Sequence, residues 1–272
     1  MTPGGQLRRN PASGKLAIVA PARATRPADA AGRRDAAPPC PFCAGNEALT
    51  PPEVDALRPA GGAPDGPGWR VRVVPNKYPA LAGRHEVIVH SPDHEAELED
   101  LGDEALAEVL GMWQRRIAAQ LDGGAAAVTL IANVGAGSGA SLEHPHEQLF
   151  ATPVVPPLLL DELLEAERYS NRYGSCVVCA ELERAGERRV LDGAVSAWVP
   201  EASRFTGELW LAPTAHEADF RSADLRGTFH WHLELAPRTT TLAGFELGTD
   251  IAIVIKDPVA AATEYRAALP PA

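Results

Sequence analysis

The sequence predicts an α+β fold in two related halves, residues 1–155 and 156–272, with the second half shortened. Three observations carry this expectation. Short alternating apolar stretches of strand length surround one long segment whose apolar residues recur at helical spacing. The order Cys-x2-Cys, then His, then His-x-His occurs twice along the chain. The second occurrence is compressed, because 50 residues lead from His94 to His144 and only 14 from His216 to His230.

The elements follow in order. Leu16–Ala20 reads as a strand after the turn at residues 11–14, and residues 21–39 show little periodicity and read as a surface segment. Trp69–Val74 and His85–Val89 are strands by alternation and β-branched content. Asp103–Leu121 places Leu106, Val109, Leu110, Trp113, Ile117 and Leu121 on one helical face. Ala127–Ala132 is a strand feeding a glycine-rich turn, and residues 144–150 read as another strand. Alternation would put His144, His146 and Gln148 on one face of it. Pro156–Arg168 reads as a helix, and Val195–Val199 and Leu209–Leu211 as strands of the second half.

Composition narrows the function. The chain has 272 residues, 45% of them apolar, and a formal charge of -11. That charge disfavours nonspecific attraction to nucleic acid or an anionic membrane, so neither is an expected partner. An anionic substrate would have to meet locally concentrated arginines. No stretch has the roughly 18 apolar residues of a membrane span, and residues 1–9 lack a signal-peptide core. A cytoplasmic location and a homodimer are the expectations.

All four cysteines sit in two pairs, Cys40/Cys43 and Cys176/Cys179. In a reducing compartment such spacing points to metal or redox chemistry. The repeat supplies histidine partners. Glu86–Leu98 aligns with Glu208–Phe220, matching His94 to His216, and His144-Pro-His146 aligns with His230-Trp-His232. Two zinc sites result, each a two-cysteine, two-histidine set of the closed structural kind: Cys40, Cys43, His94 and His144; and Cys176, Cys179, His216 and His230. The plainer alternative is ordinary surface histidines with merely buried cysteines. If His144 binds metal, His146 is left for chemistry.

The segment from Asn133 to Gln148 carries that chemistry. Its glycines allow close approach of backbone N–H groups to phosphate oxygens, and an imidazole beside such a cradle can attack phosphorus. A strand with two half-exposed histidines is the alternative. Glu143 and Glu147 alternate to the opposite face and are assigned no catalytic role. His232 lacks a glycine cradle before it, so the second half is expected to be catalytically silent.

At these residues the chain resembles the galactose-1-phosphate uridylyltransferase family of the histidine-triad superfamily, with similarity to ADP-glucose phosphorylase. The likeness runs through residues 9–23, 40–47, 74–80 and 91–94, the His144-Pro-His146-x-Gln148 run and residues 243–248. It implies two histidine-triad-like halves, each a mostly antiparallel sheet with flanking helices. It implies a nucleotidyltransferase of the UDP-glucose–hexose-1-phosphate uridylyltransferase type, working by a ping-pong route. His146 would be the nucleophile forming a nucleotidyl-histidine, and Gln148 would hold a phosphoryl oxygen. Asn133, Gly139 and Ser141 match positions around the phosphates and the active strand; Arg23, Arg26 and Asn76 match positions at the nucleotide. Solvated loop arginines are the alternative for Arg23 and Arg26. Phe245 and Glu246 match a hexose-binding position, with a structural role as the alternative for Glu246. Nucleotide sugar and sugar 1-phosphate are the implied partners and zinc the implied cofactor. An ADP-sugar phosphorylase using phosphate, a simple hydrolase, and a zinc-stabilised nucleotide-binding protein without turnover are the competing readings.

Overall fold

A computed structural model describes residues 5–25, 39–135, 138, 142–218, 220, 229–239, 241 and 243–270. It divides into two units, Met1–Pro156 and Pro157–Ala272. Mixed helix and antiparallel sheet make this an α+β protein.

In the first unit, β1 (Gln6–Arg9) and β2 (Leu16–Val19) form a two-stranded antiparallel ribbon. Gly14, at φ 71°, lies in the turn between them, in the left-handed region that glycine enters without a Cβ penalty. The main sheet has β3 (Asp55–Leu57), β4 (Val71–Pro75), β5 (His85–Val89), β6 (Ala127–Ala132) and β7 (Glu147–Thr152) in the order β3-β4-β5-β7-β6, antiparallel throughout. Helix α1 (Asp103–Asp122) packs against it. Because strand side chains alternate, register separates the two faces. Ile88 opposes Glu147 and Glu86 opposes Leu149, so these lie on one face. Arg116 and Gln120 of α1 reach Glu86 at 2.7 and 2.6 Å, which identifies that face as the one α1 covers. Val87 opposes Gln148 and His85 opposes Phe150 on the other face. Phe42, from the Cys40/Cys43 turn, packs there with Trp69, Val74, Val87 and Val89. Burying each of these side chains contributes roughly 1.5–3 kcal/mol, so the first cysteine pair is tied to the sheet by its own intervening phenylalanine.

The second unit opens with α2 (Pro157–Tyr173) and α3 (Val177–Arg184). Its sheet is β11-β10-β9-β8, from β8 (Arg189–Leu191), β9 (Val195–Trp198), β10 (Leu209–Pro213) and β11 (Leu233–Leu235), again antiparallel. The short α4 (Gly244–Thr249) and α5 (Pro258–Ala268) follow. Asp257 caps α5 through bonds from the backbone of Val259 and Ala260, and Pro258 occupies its first turn. Among the described residues between His216 and His230 there is neither a helix nor a strand.

Two expectations shift. The strand expected over residues 144–150 begins only at Glu147. Pro145 cannot donate to a ladder, and His144 turns in to an exposure of 0%. The helix expected over residues 156–168 continues to Tyr173, where Gly174 at φ 69° ends it.

Candidate functional site

His146 sits immediately before β7, half-buried, with its ring edge-on to Phe42 at 5.2 Å. Its Nδ1 lies 2.8 Å from the carbonyl oxygen of His144. A carbonyl only accepts, so Nδ1 carries the proton, and in the neutral ring the lone pair is on Nε2. Sequence alone leaves the proton acceptor for this ring open between Ser141 and nearby backbone; a backbone carbonyl two residues upstream takes that role. Gln148, 93% buried, follows on the face shared with His85. Asn76 stands at the end of β4, its Oδ1 accepting from the Tyr78 backbone N–H at 2.8 Å and its Nδ2 3.1 Å from His85 Nε2. Arg23 donates to the Tyr78 carbonyl at 2.6 Å and the Asn76 backbone N–H to the His85 carbonyl at 2.9 Å, so Arg23, Asn76 and Gln148 are linked through Tyr78 and His85. Asn133 is half-buried just beyond β6. Arg26, Gly139 and Ser141 lie outside the described residues. Phe245 and Glu246 belong to α4 of the second unit. There Phe245 is exposed, and the Glu246 carboxylate accepts from the Ala243 backbone N–H at the start of the helix.

Cys40, Cys43, His94 and His144 present their ligand atoms within 4.8 Å of one another, a group that could hold a metal ion. Cys43 Sγ is 3.3 Å from His94 Nδ1 and 3.7 Å from His144 Nδ1, and Cys40 Sγ is 3.7 Å from the latter. A zinc tetrahedron built from ordinary bond lengths has S···N edges of about 3.6 Å, so the spacing fits. His144 Nε2 donates to the Ser91 carbonyl at 2.9 Å, which turns the unprotonated Nδ1 toward the thiols. Burial, together with the neighbouring His94, lowers the His144 pKa and favours the neutral ring that ligation requires.

The second unit repeats the arrangement. Cys176, at the N-cap of α3, and Cys179 meet His216 and His230 within the same limit. His230 Nε2 donates to the Pro213 carbonyl at 3.0 Å, and its Nδ1 is 3.5 Å from Cys179 Sγ. Burial and the adjacent Cys176 push the Cys179 thiol up to about 11. Two thiols this close oppose each other's ionisation, and a cation between them reverses that. His232 copies the pose of His146, with Nδ1 3.2 Å from the His230 carbonyl and β11 starting at the next residue. Its surroundings differ, because the ring stacks on Trp210 at 4.3 Å and Nε2 faces Glu234 at 3.5 Å and Glu162 at 4.0 Å. Glu162, His232 and Glu234 form a third group close enough to share a cation. No sequence signal marks Glu162, 70 positions from His232, because only the fold joins them.

Glu147 does face away from His146, as alternation predicts, but it is not idle. It is 1% exposed and its Oε1 lies 2.7 Å from His90 Nδ1, while His90 Nε2 lies 2.9 Å from the Ala96 carbonyl. Both ring nitrogens face oxygens that can accept, an arrangement that favours the imidazolium. Burial alone would lower the His90 pKa; the bond to Glu147 and its charge outweigh that and raise it above 6.5. A group whose pKa is raised on folding stabilises below its unfolded value and loses the contribution as pH climbs through the folded one. Wild-type melting temperature should therefore fall more than that of His90→Gln between about pH 6 and pH 9. The difference amounts to about 1.4 kcal/mol for every tenfold by which folding tightens the ring's hold on its proton. Parallel melting curves for the two proteins across that range would refute the ion pair.

Known proteins share this sequence pattern and this fold. Residues 76–156 match the family described as galactose-1-phosphate uridyl transferase, N-terminal domain. ADP-glucose phosphorylase from Arabidopsis thaliana is 28% identical, over 90% of this chain and 87% of that protein. Galactose-1-phosphate uridylyltransferase from Thermotoga maritima is 28% identical, over 78% of this chain and 67% of that one. The crystal structure of the Arabidopsis thaliana ADP-glucose phosphorylase with bound ADP-glucose superposes with a TM-score of 0.76 at 25% identity, covering 97% of this chain and 98% of that one. By these matches the chain is an enzyme similar to the galactose-1-phosphate uridylyltransferases and to ADP-glucose phosphorylase.

Proposed function

We propose that the protein moves a nucleotidyl group from a nucleotide sugar to a second phosphate acceptor by way of His146. The observation that carries this is the 2.8 Å contact of His146 Nδ1 with the His144 carbonyl, which leaves the Nε2 lone pair as the nucleophile. Nε2 attacks the α-phosphorus, the bond to the bridging oxygen breaks, and sugar 1-phosphate leaves with that electron pair. An acceptor phosphate oxygen then attacks the same phosphorus and the N–P bond returns its electrons to Nε2. Gln148 and Asn76 offer uncharged amide donors to the phosphoryl oxygens, which stabilises developing charge without adding a competing base. Phe245 and Glu246 are proposed at the hexose.

Zinc is the metal proposed for both cysteine–histidine groups, on the chemistry of their donors. Bound there, it would supply structural closure, fixing the turn that precedes His146. The strand order β3-β4-β5-β7 recurring as β8-β9-β10-β11 supports reading the units as two histidine-triad-like halves, and the stacking of His232 on Trp210 beside two carboxylates supports an active site only in the first.

Uridylyl transfer between hexose 1-phosphates is the first reading. A second, release of a nucleoside diphosphate by phosphate, is favoured by the match to ADP-glucose phosphorylase over 90% of the chain. Incubation with radiolabelled UDP-glucose and ADP-glucose separately should give acid-labile, base-stable label on the protein from one of them. Discharge by galactose 1-phosphate then supports the first reading and discharge by phosphate the second. Absence of label from both, in protein carrying its metal, would remove the covalent route.

A further inference from the structure

We propose that His85 is a positioning residue that fixes which end of the Gln148 amide faces the transferring phosphoryl group. The proposal rests on the reading of His146 and Gln148 given above. His85 begins β5, is 2% exposed, and stacks on Phe150 at 4.0 Å with an interplanar angle of 27°. The backbone N–H of Ala80 points at its Nδ1 from 3.1 Å. A backbone N–H can only donate, so Nδ1 is the acceptor and the ring proton must be on Nε2. Nε2 lies 3.2 Å from Gln148 Oε1 and donates to it.

Gln148 therefore has its oxygen engaged inside the protein, and its NH2 group is the end turned toward a ligand. Without that bond an amide can turn over at little cost and present an oxygen, which would repel a phosphoryl group. Asn76 is held in the same sense by a different device. Its oxygen accepts from the Tyr78 N–H at 2.8 Å, so its NH2, 3.1 Å from His85 Nε2, meets another donor there and bonds nothing on the ring. Among the described residues no acceptor stands against the Gln148 NH2. Two oriented amide donors beside one imidazole suit an acceptor such as a phosphoryl oxygen. Ala80, His85 and Gln148 thus form a chain in which a backbone N–H sets a tautomer and the tautomer sets an amide.

The chain can be cut at either link. In His85→Asn the shorter amide can still meet the Ala80 N–H but places no donor at Nε2; in His85→Gln the longer amide can put a donor near that position. Single-turnover transfer to the protein from the donor that labels wild type should slow about tenfold in His85→Asn, the loss of one neutral hydrogen bond. His85→Gln should recover most of the rate. In a Gln148→Ala background, His85→Asn should change the rate less than about twofold, because its effect runs through Gln148. Melting temperature is measured for every variant, and a stability role alone would not order Asn below Gln. Equal rates for the two His85 variants, or a full tenfold loss that persists without Gln148, would overturn the proposal. If Gln148→Ala itself transfers at the wild-type rate, it is the catalytic reading of Gln148 that fails instead. Should His85→Asn not fold, His85→Ala, which likewise places no donor at Gln148 Oε1, takes its place in the two Gln148 backgrounds.

Discussion

Replacing His146 by alanine is expected to lower steady-state turnover by about 10⁴- to 10⁶-fold, the scale on which losing a covalent nucleophile acts. It should also leave no nucleotidyl label on the protein. The fold should hardly notice. The ring is half-buried, its Nδ1 bonds the carbonyl two residues back, and its packing partner Phe42 keeps its place among Trp69, Val74, Val87 and Val89. A melting temperature within a few degrees of wild type would separate lost chemistry from lost structure, since about 1 kcal/mol moves a domain of this size only 2–4 °C. Gln148→Ala should be the milder variant, about 10²- to 10³-fold slower, as expected for one oriented donor at a developing charge. The order is what matters. A His146→Ala protein that still takes up label, or turns over within tenfold of wild type, would mean that the imidazole is not the group attacked through.

The difference between what the sequence discloses and what it hides follows from physical range. The cysteine and histidine sets are legible because each pair is local and the repeat supplies the missing partners, so Cys40 and His144 can be joined across 104 positions. The helix at residues 103–122 is legible to within one residue because amphipathic spacing accumulates over five turns. The strand over residues 144–150 starts later than its alternation predicts, because Pro145 and the inward turn of His144 override the pattern. His85, His90 and Glu162 are hidden for another reason. Each looks like an ordinary polar residue in its own segment, and gains its role only across strands or between distant segments. His85 meets Gln148 over 63 positions through the β5–β7 register, and His90 meets Glu147 over 57. Charge does not help either, because alternation places Glu147 on the far face while its partner there stays invisible. Several strands of three residues, β3, β8 and β11, carry too few alternations to stand out from loops.

Metal loss should have the largest effect on stability, and the two sites should respond differently. Wild-type protein is expected to hold about two zinc ions per chain, and Cys43→Ser and Cys179→Ser each about one. Structural zinc contributes far more than a typical side chain, with apparent values of about 10–16 kcal/mol in small peptides. Even a fraction of that, roughly 5 kcal/mol, corresponds to a fall of about 10–20 °C in melting temperature. Each serine variant should therefore melt at least about 10 °C lower, and prolonged chelation of wild type should reproduce the effect. Activity should then tell the sites apart. His144 is a member of the first group and its carbonyl holds the His146 tautomer, so Cys43→Ser should loosen the proposed nucleophile itself. The second group closes on α3 and His230, in a unit where His232 is stacked on Trp210 and faces two carboxylates. Cys179→Ser should consequently lower stability while leaving turnover of the folded fraction within about threefold of wild type at a temperature well below its melt. Cys43→Ser should lose both. Metal analysis of each protein, its melting curve and its turnover at low temperature check the whole pattern together. A wild-type protein with no metal, or serine variants that melt with wild type, would leave the four-residue groups as mere packing, and equal catalytic losses at both sites would break the link drawn from the His144 carbonyl to His146.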